Sequence, residues 1–242
     1  MEYKERNYRN LIAGKDLENF QINLNESDLY IRANRELSGI AKDLLLKYRK
    51  QIEEYIVKYP FFEASLKPYK QDKEASDIIY SMIQSAKLCE VGPMAAVAGA
   101  IAESVGRELL QFSPEVIIEN GGDIFIKSNK IRKMSIFAGE SPFSQKVILN
   151  IDSRKYPLGV CTSSGTVGPS LSFGKADAVT IISKSTPLAD AAATAICNIV
   201  KNKADINRGL SYAQKIKGII GIVIIKNDKI GFWGDVDFSM VK

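Results

Sequence analysis

With 242 residues, 45% hydrophobic and 25% charged, the chain has the composition of a globular protein with a sizeable core, not of a disordered one. Its 33 Lys and Arg exceed its 28 Asp and Glu by a net +5. They are dispersed among acids, from Arg35, Lys42 and Lys47 through Arg49, Lys50 and Lys58, which argues against nucleic acid as a partner. No apolar run approaches the ~20 residues that span a bilayer, and the first residues lack the apolar stretch of a signal peptide, so a cytoplasmic protein without membrane contact is expected.

Phe20, Ile22 and Leu24 alternate with polar residues, Asn25-Glu-Ser-Asp28 forms a turn, and Leu29 and Ile31 resume the alternation. An antiparallel hairpin is therefore expected within about residues 8–33. Leu37, Ile40, Ala41, Leu44, Leu45, Tyr48, Ile52, Tyr55, Ile56 and Tyr59 follow at helical spacing, with Asn34 as the expected N-cap and Pro60 as the stop. Residues 61–76, broken by Pro68, read as a connector to a second helix at about 77–88.

From Val91 to Glu103 the chain is small and apolar on nearly every side. This predicts a helix buried closely against a sheet, with Gly92 and Pro93 at its start. Short strands are expected at 115–119, 123–127, 133–138, 146–151, 158–162 and 178–183, a helix at 187–201, and a closing hairpin of 219–226 and 230–234 around Asn227-Asp228. This order predicts an α+β fold with a largely antiparallel sheet. The chain reads as one domain over residues 1–242, with an N-terminal hairpin and helices (1–88) and a core bearing the motifs (89–242).

The absence of histidine excludes Ser-His-Asp and Cys-His catalysis and His-ligated zinc. Cys89, Cys161 and Cys197 have neither CxxC nor zinc spacing and read as free thiols of a reducing compartment. Asn120-Gly-Gly-Asp123, between two strands, is either a hairpin turn or a backbone cradle whose Asn and Asp orient a polar ligand. Thr162-Ser-Ser-Gly165 is either a plain loop or a set of hydroxyls and amides suited to phosphate oxygens. Gly168-Pro-Ser-Leu-Ser-Phe-Gly-Lys175 fails the phosphate-loop pattern in its glycine spacing and in Ala176 after the lysine. Asp190 and Thr194 share one face of a helix, one turn apart. They are either a first-turn acid and its neighbour or an oxygen pair for Mg²⁺.

Together these fragments resemble the ApbE superfamily, the FAD:protein FMN transferases, and more closely a conserved-protein family of unassigned function within it. The resemblance runs from Val91 to about Val200: the small-residue helix, strand–Asn-Gly-Gly-Asp–strand at 116–126, the Thr162–Gly165 turn, and the strand and Ala-Asp-x-x-x-Thr helix at 176–195. It implies a duplicated, T-fold-like unit of β-sheet and helix. It further implies Mg²⁺ held by Asp190, Thr194 and a backbone carbonyl near Ala95, and FAD or a related diphosphate nucleotide held by Asn120, Gly121, Gly122, Asp123, Thr162, Ser163, Ser164 and Gly165.

Two departures stand out. Ala98 lies where the transferases usually carry lysine, and Val167-Gly-Pro-Ser170 lies where a histidine precedes an Asp-Pro pair. Asp123, Lys175 and Asp177 are then the groups left to act as a base, and FMN transfer is expected to be weak even where FAD binds. The alternative is an accessory protein of sulfur or cofactor metabolism that uses Cys161 as a thiol on the same fold. Assembly into a homo-oligomer is left open.

Overall fold

The alternating N-terminal pattern forms a hairpin, β1 (Glu18–Leu24) with β2 (Ser27–Ala33), in which Ile22 and the fully buried Leu29 and Ile31 share one face. The structure is a computed structural model that describes residues 16–166 and 174–241. The start of the 8–33 region, the Val167–Ser170 departure and most of the 168–175 segment thus lie outside the described residues.

Helix α1 (Ser38–Lys58) follows, then α2 (Phe61–Ala64), α3 (Asp77–Leu88), a 3-10 turn (Pro93–Ala96) and α4 (Val97–Leu109). Strands β3 (Val116–Asn120) and β4 (Asp123–Lys127) complete the first half. After β5 (Arg132–Ser135) and β6 (Val147–Ile151), the pattern repeats: β7 (Leu158–Ser163), β8 (Ala178–Ser183), α5 (Thr186–Ile199), a 3-10 turn (Lys203–Asp205), α6 (Ile206–Ala213), β9 (Ile219–Lys226) and β10 (Lys229–Gly234), with β11 (Phe238–Met240) last.

Each half is two strands, helices, two strands, and the halves join edge to edge where β4 pairs with β7. The result is one eight-stranded antiparallel sheet in the order β1-β2-β3-β4-β7-β8-β9-β10. This is the largely antiparallel sheet that the order of elements predicted and the duplicated architecture that the resemblance implied.

Period-two alternation sends residues to different layers. Phe125, Cys161, Val179 and Ile181 face the helices, whereas Ile124, Ile126, Val160 and Ile182 face a three-stranded sheet, β11-β6-β5, on the other side. That second sheet, β11 and α6 were not anticipated. In α6 the helical period is short and interrupted by Gly209, which is needed where Ile224 packs close to the backbone. Two other expectations are corrected. Asn34 does not cap α1, whose N-cap position is Leu37; its Oδ1 instead accepts from Ser113 Oγ and the Glu115 N–H, tying the α4–β3 loop to the end of β2. The small-residue segment is split, because Pro93 starts a 3-10 turn and the regular helix begins at Val97 and runs on to Leu109. No single helix among the described residues is long and apolar enough to cross a membrane.

The helix layer approaches the sheet through glycines. A Cβ at Gly106 would overlap the Phe125 ring, and one at Gly159 would overlap Thr186 Cα. The exposed Gly39 of α1 has nothing within 4 Å of its would-be Cβ. Gly159→Ala is expected to lose about 1–3 kcal/mol by overpacking against rigid backbone, and Gly39→Ala to gain roughly 0.5–1 kcal/mol of helix propensity. Thermal unfolding of both variants checks this; equal melting temperatures would contradict the packing argument.

Candidate functional site

On the helix face, strand register lines up Asn120, Asp123 and Cys161. Asn120 opposes Asp123 across its hairpin, and Asp123 opposes Cys161 across the seam between the halves. The hairpin reading and the ligand reading of Asn120-Gly-Gly-Asp123 coexist. Gly121 and Gly122 take φ of +67° and +108°, closing a two-residue turn that leaves both flanking polar side chains on the helix face. The same alternation turns Thr162 to the opposite face, where its hydroxyl meets Thr180 Oγ1 at 2.9 Å. Ser163, opposite Val179, returns to the helix side.

Above this row α4 and α5 pack antiparallel. Gly99 permits it: a Cβ there would lie 2.6 Å from the Thr186 carbonyl oxygen and 2.9 Å from Asp190 Cβ. The Gly99 N–H donates to Asp190 Oδ2 at 2.9 Å, and the Thr186 N–H donates to Glu103 Oε2 at 2.6 Å. Position 99 therefore stands beside 190, and 103 beside 186. Continued one turn, this register runs the Pro93–Ala96 turn toward Thr194, which is half-buried, as is Ala95. Asn120 Nδ2 donates to the Ala98 carbonyl at 3.1 Å and so fixes the start of α4 to the sheet.

Asp123 and Asp190 are 9% and 8% exposed, and among the described residues neither carboxyl is paired with a Lys or Arg side chain. Burial pushes the Asp123 carboxyl from 3.8 up to about 7; a hydrogen bond with the Cys161 thiol opposes the shift, and the negative field of Glu119 adds to it. Burial and then the charge of Asp123 push Asp190 well above the usual carboxylate range, against the pull of the Gly99 and Ala98 amides. Cys161 is fully buried, with its Sγ 3.5 Å from the Thr186 carbonyl oxygen. Burial, with Asp123 and Asp190 beside it, pushes that thiol well up, the opposite of what a nucleophilic thiolate requires.

Asp177 is committed elsewhere. Its carboxylate accepts from Lys226 Nζ at 3.1 Å and from the Asn227 N–H, holding the β9–β10 turn. Lys175 is exposed, and its N–H donates to the Val200 carbonyl. Gly165 donates to the Ala176 carbonyl, and its lack of a Cβ admits the Gly174 backbone. Ser164 Oγ lies 3.2 Å from Thr166 Oγ1. Among the described residues no three Asp, Glu or Cys side chains gather as a metal-binding group, so a metal here would draw on hydroxyl and carbonyl oxygens beside Asp190. Sequence reading overlooked Gly99 and Glu103; the signal was an acid four residues after a glycine in a helix otherwise of small residues.

Because folding raises the Asp123 pKa, the folded state holds more protons than the unfolded one between about pH 4 and pH 7. That stabilising contribution is complete below the unfolded pKa and is lost as pH rises through about 7. The metal-free protein should lose melting temperature across this window, and Asp123→Asn should flatten the loss; an unchanged pH profile in that variant would refute the assignment.

A family model described as "AbpE bacteria" matches residues 9–218. A UPF0280 protein of Methanocaldococcus jannaschii is 42% identical over 201 residues, spanning 81% of this chain and 82% of its own. One of Methanococcus aeolicus is 36% identical over 228 residues and 92% of each chain. Among solved structures, the flavin transferase ApbE from Vibrio cholerae superposes with a TM-score of 0.60 at 11% identity, over 90% of this chain and 97% of that one. The Pseudomonas stutzeri flavinyl transferase ApbE in its apo form gives 0.56 at 16%, over 90% and 94%. At such identities the likeness is one of fold. The match across residues 9–218, with identities above a third over most of both relatives, shows that the chain belongs to the AbpE bacteria family and carries the fold of the ApbE proteins.

Proposed function

We propose that this protein binds FAD or a related diphosphate nucleotide with Mg²⁺, Asp190, Thr194 and the carbonyl at Ala95 holding the metal. The observation that carries the reading is the pair of buried carboxylates, Asp123 and Asp190, beside the α4 start and with the Thr194 hydroxyl one turn beyond Asp190. Keeping two such groups charged in a dry site is costly, and a divalent cation relieves that cost. Carboxylate, hydroxyl and carbonyl oxygens are the hard donors that Mg²⁺ prefers, commonly completed by substrate phosphate. When bound, the ion would offset charge developing on the diphosphate. The relation to proteins named flavin transferases supports a flavin nucleotide as the ligand class.

Asn120, Gly121, Gly122 and Asp123, with Ser163, Ser164 and Gly165, border the nucleotide in this reading. Thr162 contributes backbone only, its hydroxyl being spent on Thr180. Asp123 is the group suited to take a proton from an acceptor hydroxyl, since it lies on the seam between the halves and burial makes its carboxylate more basic than usual. The accessory reading built on Cys161 lacks comparable support, because the thiol is buried and held protonated.

FAD with Mg²⁺ is expected to raise the melting temperature. At a hundred times its dissociation constant a native-state ligand adds ~2.7 kcal/mol, which in a chain of this size corresponds to roughly 5–10 °C. Asp190→Ala should abolish the Mg²⁺ dependence, and Asp123→Ala and Ser163→Ala should shrink the shift. If FAD, FMN and ADP all leave the curve unmoved in Mg²⁺, the reading fails.

Mg²⁺-dependent transfer of FMN to a threonine-containing peptide should be slow, because no histidine is present to act as the base. Asp123→Asn should lower it by ~10²–10⁴, the usual contribution of a general base. Mass-spectrometric detection of modified peptide checks this, and a rate that survives the substitution would remove Asp123 from the role.

A further inference from the structure

We propose that Glu103 is a positioning residue for this site, setting the register of α5 on α4 and thereby the spacing of Asp190 and Thr194 from the backbone at Ala95. The proposal rests on the metal reading above and deepens it. Glu103 and Gly99 are four apart on α4, and Thr186 and Asp190 are four apart on α5. The two hydrogen bonds that join them run in opposite senses, Gly99 N–H to Asp190 and Thr186 N–H to Glu103, so each helix start is satisfied by a carboxylate from the other helix. Four positions joined at two corners form a closed ring. A slide or rotation of one helix along the other cannot release one bond without straining the second.

Among the described residues the Thr186 N–H has no acceptor besides Glu103: its own hydroxyl is buried without a hydrogen-bond partner, and Ser185, the N-cap, serves the amide of Leu188 instead. Glu103 is itself held in place, its Oε1 lying 2.7 Å from the Arg107 guanidinium. The absent side chain at Gly159 lets Thr186 rest on β7, so the ring also fixes α5 against the seam that carries Asp123. Metal affinity is sensitive to ligand placement, and loss of a group that orients a ligand typically costs 10–100-fold.

The test uses the full chain, with amide hydrogen exchange and Mn²⁺ binding followed by electron paramagnetic resonance. Glu103→Ala should speed exchange at Thr186 and also at Gly99, whose own acceptor Asp190 is untouched, and should weaken Mn²⁺ binding about 10–100-fold. Glu103→Gln still offers an oxygen to the Thr186 N–H and should stay near wild type in both readouts. Glu108→Ala, on the same helix but bonded to Lys47 and Tyr48, should leave both amides and the Mn²⁺ affinity unchanged. Should Glu103→Ala fail to fold, Glu103→Asp, which retracts the carboxylate by one methylene, carries the same expectations. Faster exchange confined to Thr186, with Gly99 still protected, would reduce Glu103 to a local cap and overturn the proposal. A wild-type chain that binds no Mn²⁺ would instead overturn the metal reading, and the exchange result would still decide whether Glu103 sets the register.

Discussion

The close contact of α4 with α5 at Gly99 is the constraint on which the site depends. With hydrogen as its side chain, Gly99 lets the Thr186 carbonyl and Asp190 Cβ approach to distances that any larger residue would forbid. Only at that separation can each helix satisfy its partner's exposed amides with a carboxylate, and only then does Asp190 lie buried over the sheet. The small residues of both helices serve this approach. Ala100 and Ala102 on α4 and Ala189, Ala191, Ala192 and Ala193 on α5 are almost fully buried, so the helices gain stability from close packing instead of from bulky apolar groups.

The sheet supplies the other half of the site at the line where its two halves join. Pairing of β4 with β7 brings the polar hairpin of the first unit against a strand of the second, and it sets Asp123 against Cys161. The two acids then share a space from which water is largely excluded, and Asp190 feels the charge of Asp123. Such an arrangement disfavours ionisation unless something cationic arrives. The Arg132, Glu115 and Asp16 cluster handles buried charge in the opposite way, by pairing it within the chain. Arg132, 4% exposed, bonds Glu115 at 2.8 Å, and against the effect of burial the hydrogen bonds from Ser128, Arg132 and the Asn129 amide hold Glu115 down to about 2. The contrast between a carboxylate paired with Arg132 at Glu115 and buried acids without a basic partner among the described residues at Asp123 and Asp190 is what favours the latter pair as the candidate site.

Much of this was legible in the residues. Alternation and helical spacing exposed the first hairpin, α1, α3, α5 and the closing hairpin, because each carries its period over enough residues to identify itself. Asn120-Gly-Gly-Asp123 announced its turn through the two glycines that positive φ requires. Short or interrupted elements did not declare themselves: α6 contains Gly209, and β11 has three residues that become a strand only through pairing with β6. Asn34 looked like a cap because Asn favours helix starts, yet a loop distant in sequence offered it more partners.

What the sequence by itself determined was the set of chemical groups: no histidine, two acids among alanines and strands, and hydroxyls following a strand. Tertiary structure decided which of them meet. Strand parity turned Thr162 away and Asp123 inward, the β9–β10 turn claimed Asp177, and burial pushed the Cys161 thiol toward its protonated form. The partnership of Gly99 with Asp190 and of Glu103 with Thr186 joins residues more than eighty positions apart. No local period or propensity encodes such a pairing, because it comes into being only when two helices pack on one sheet and their unsatisfied amides find the nearest carboxylate.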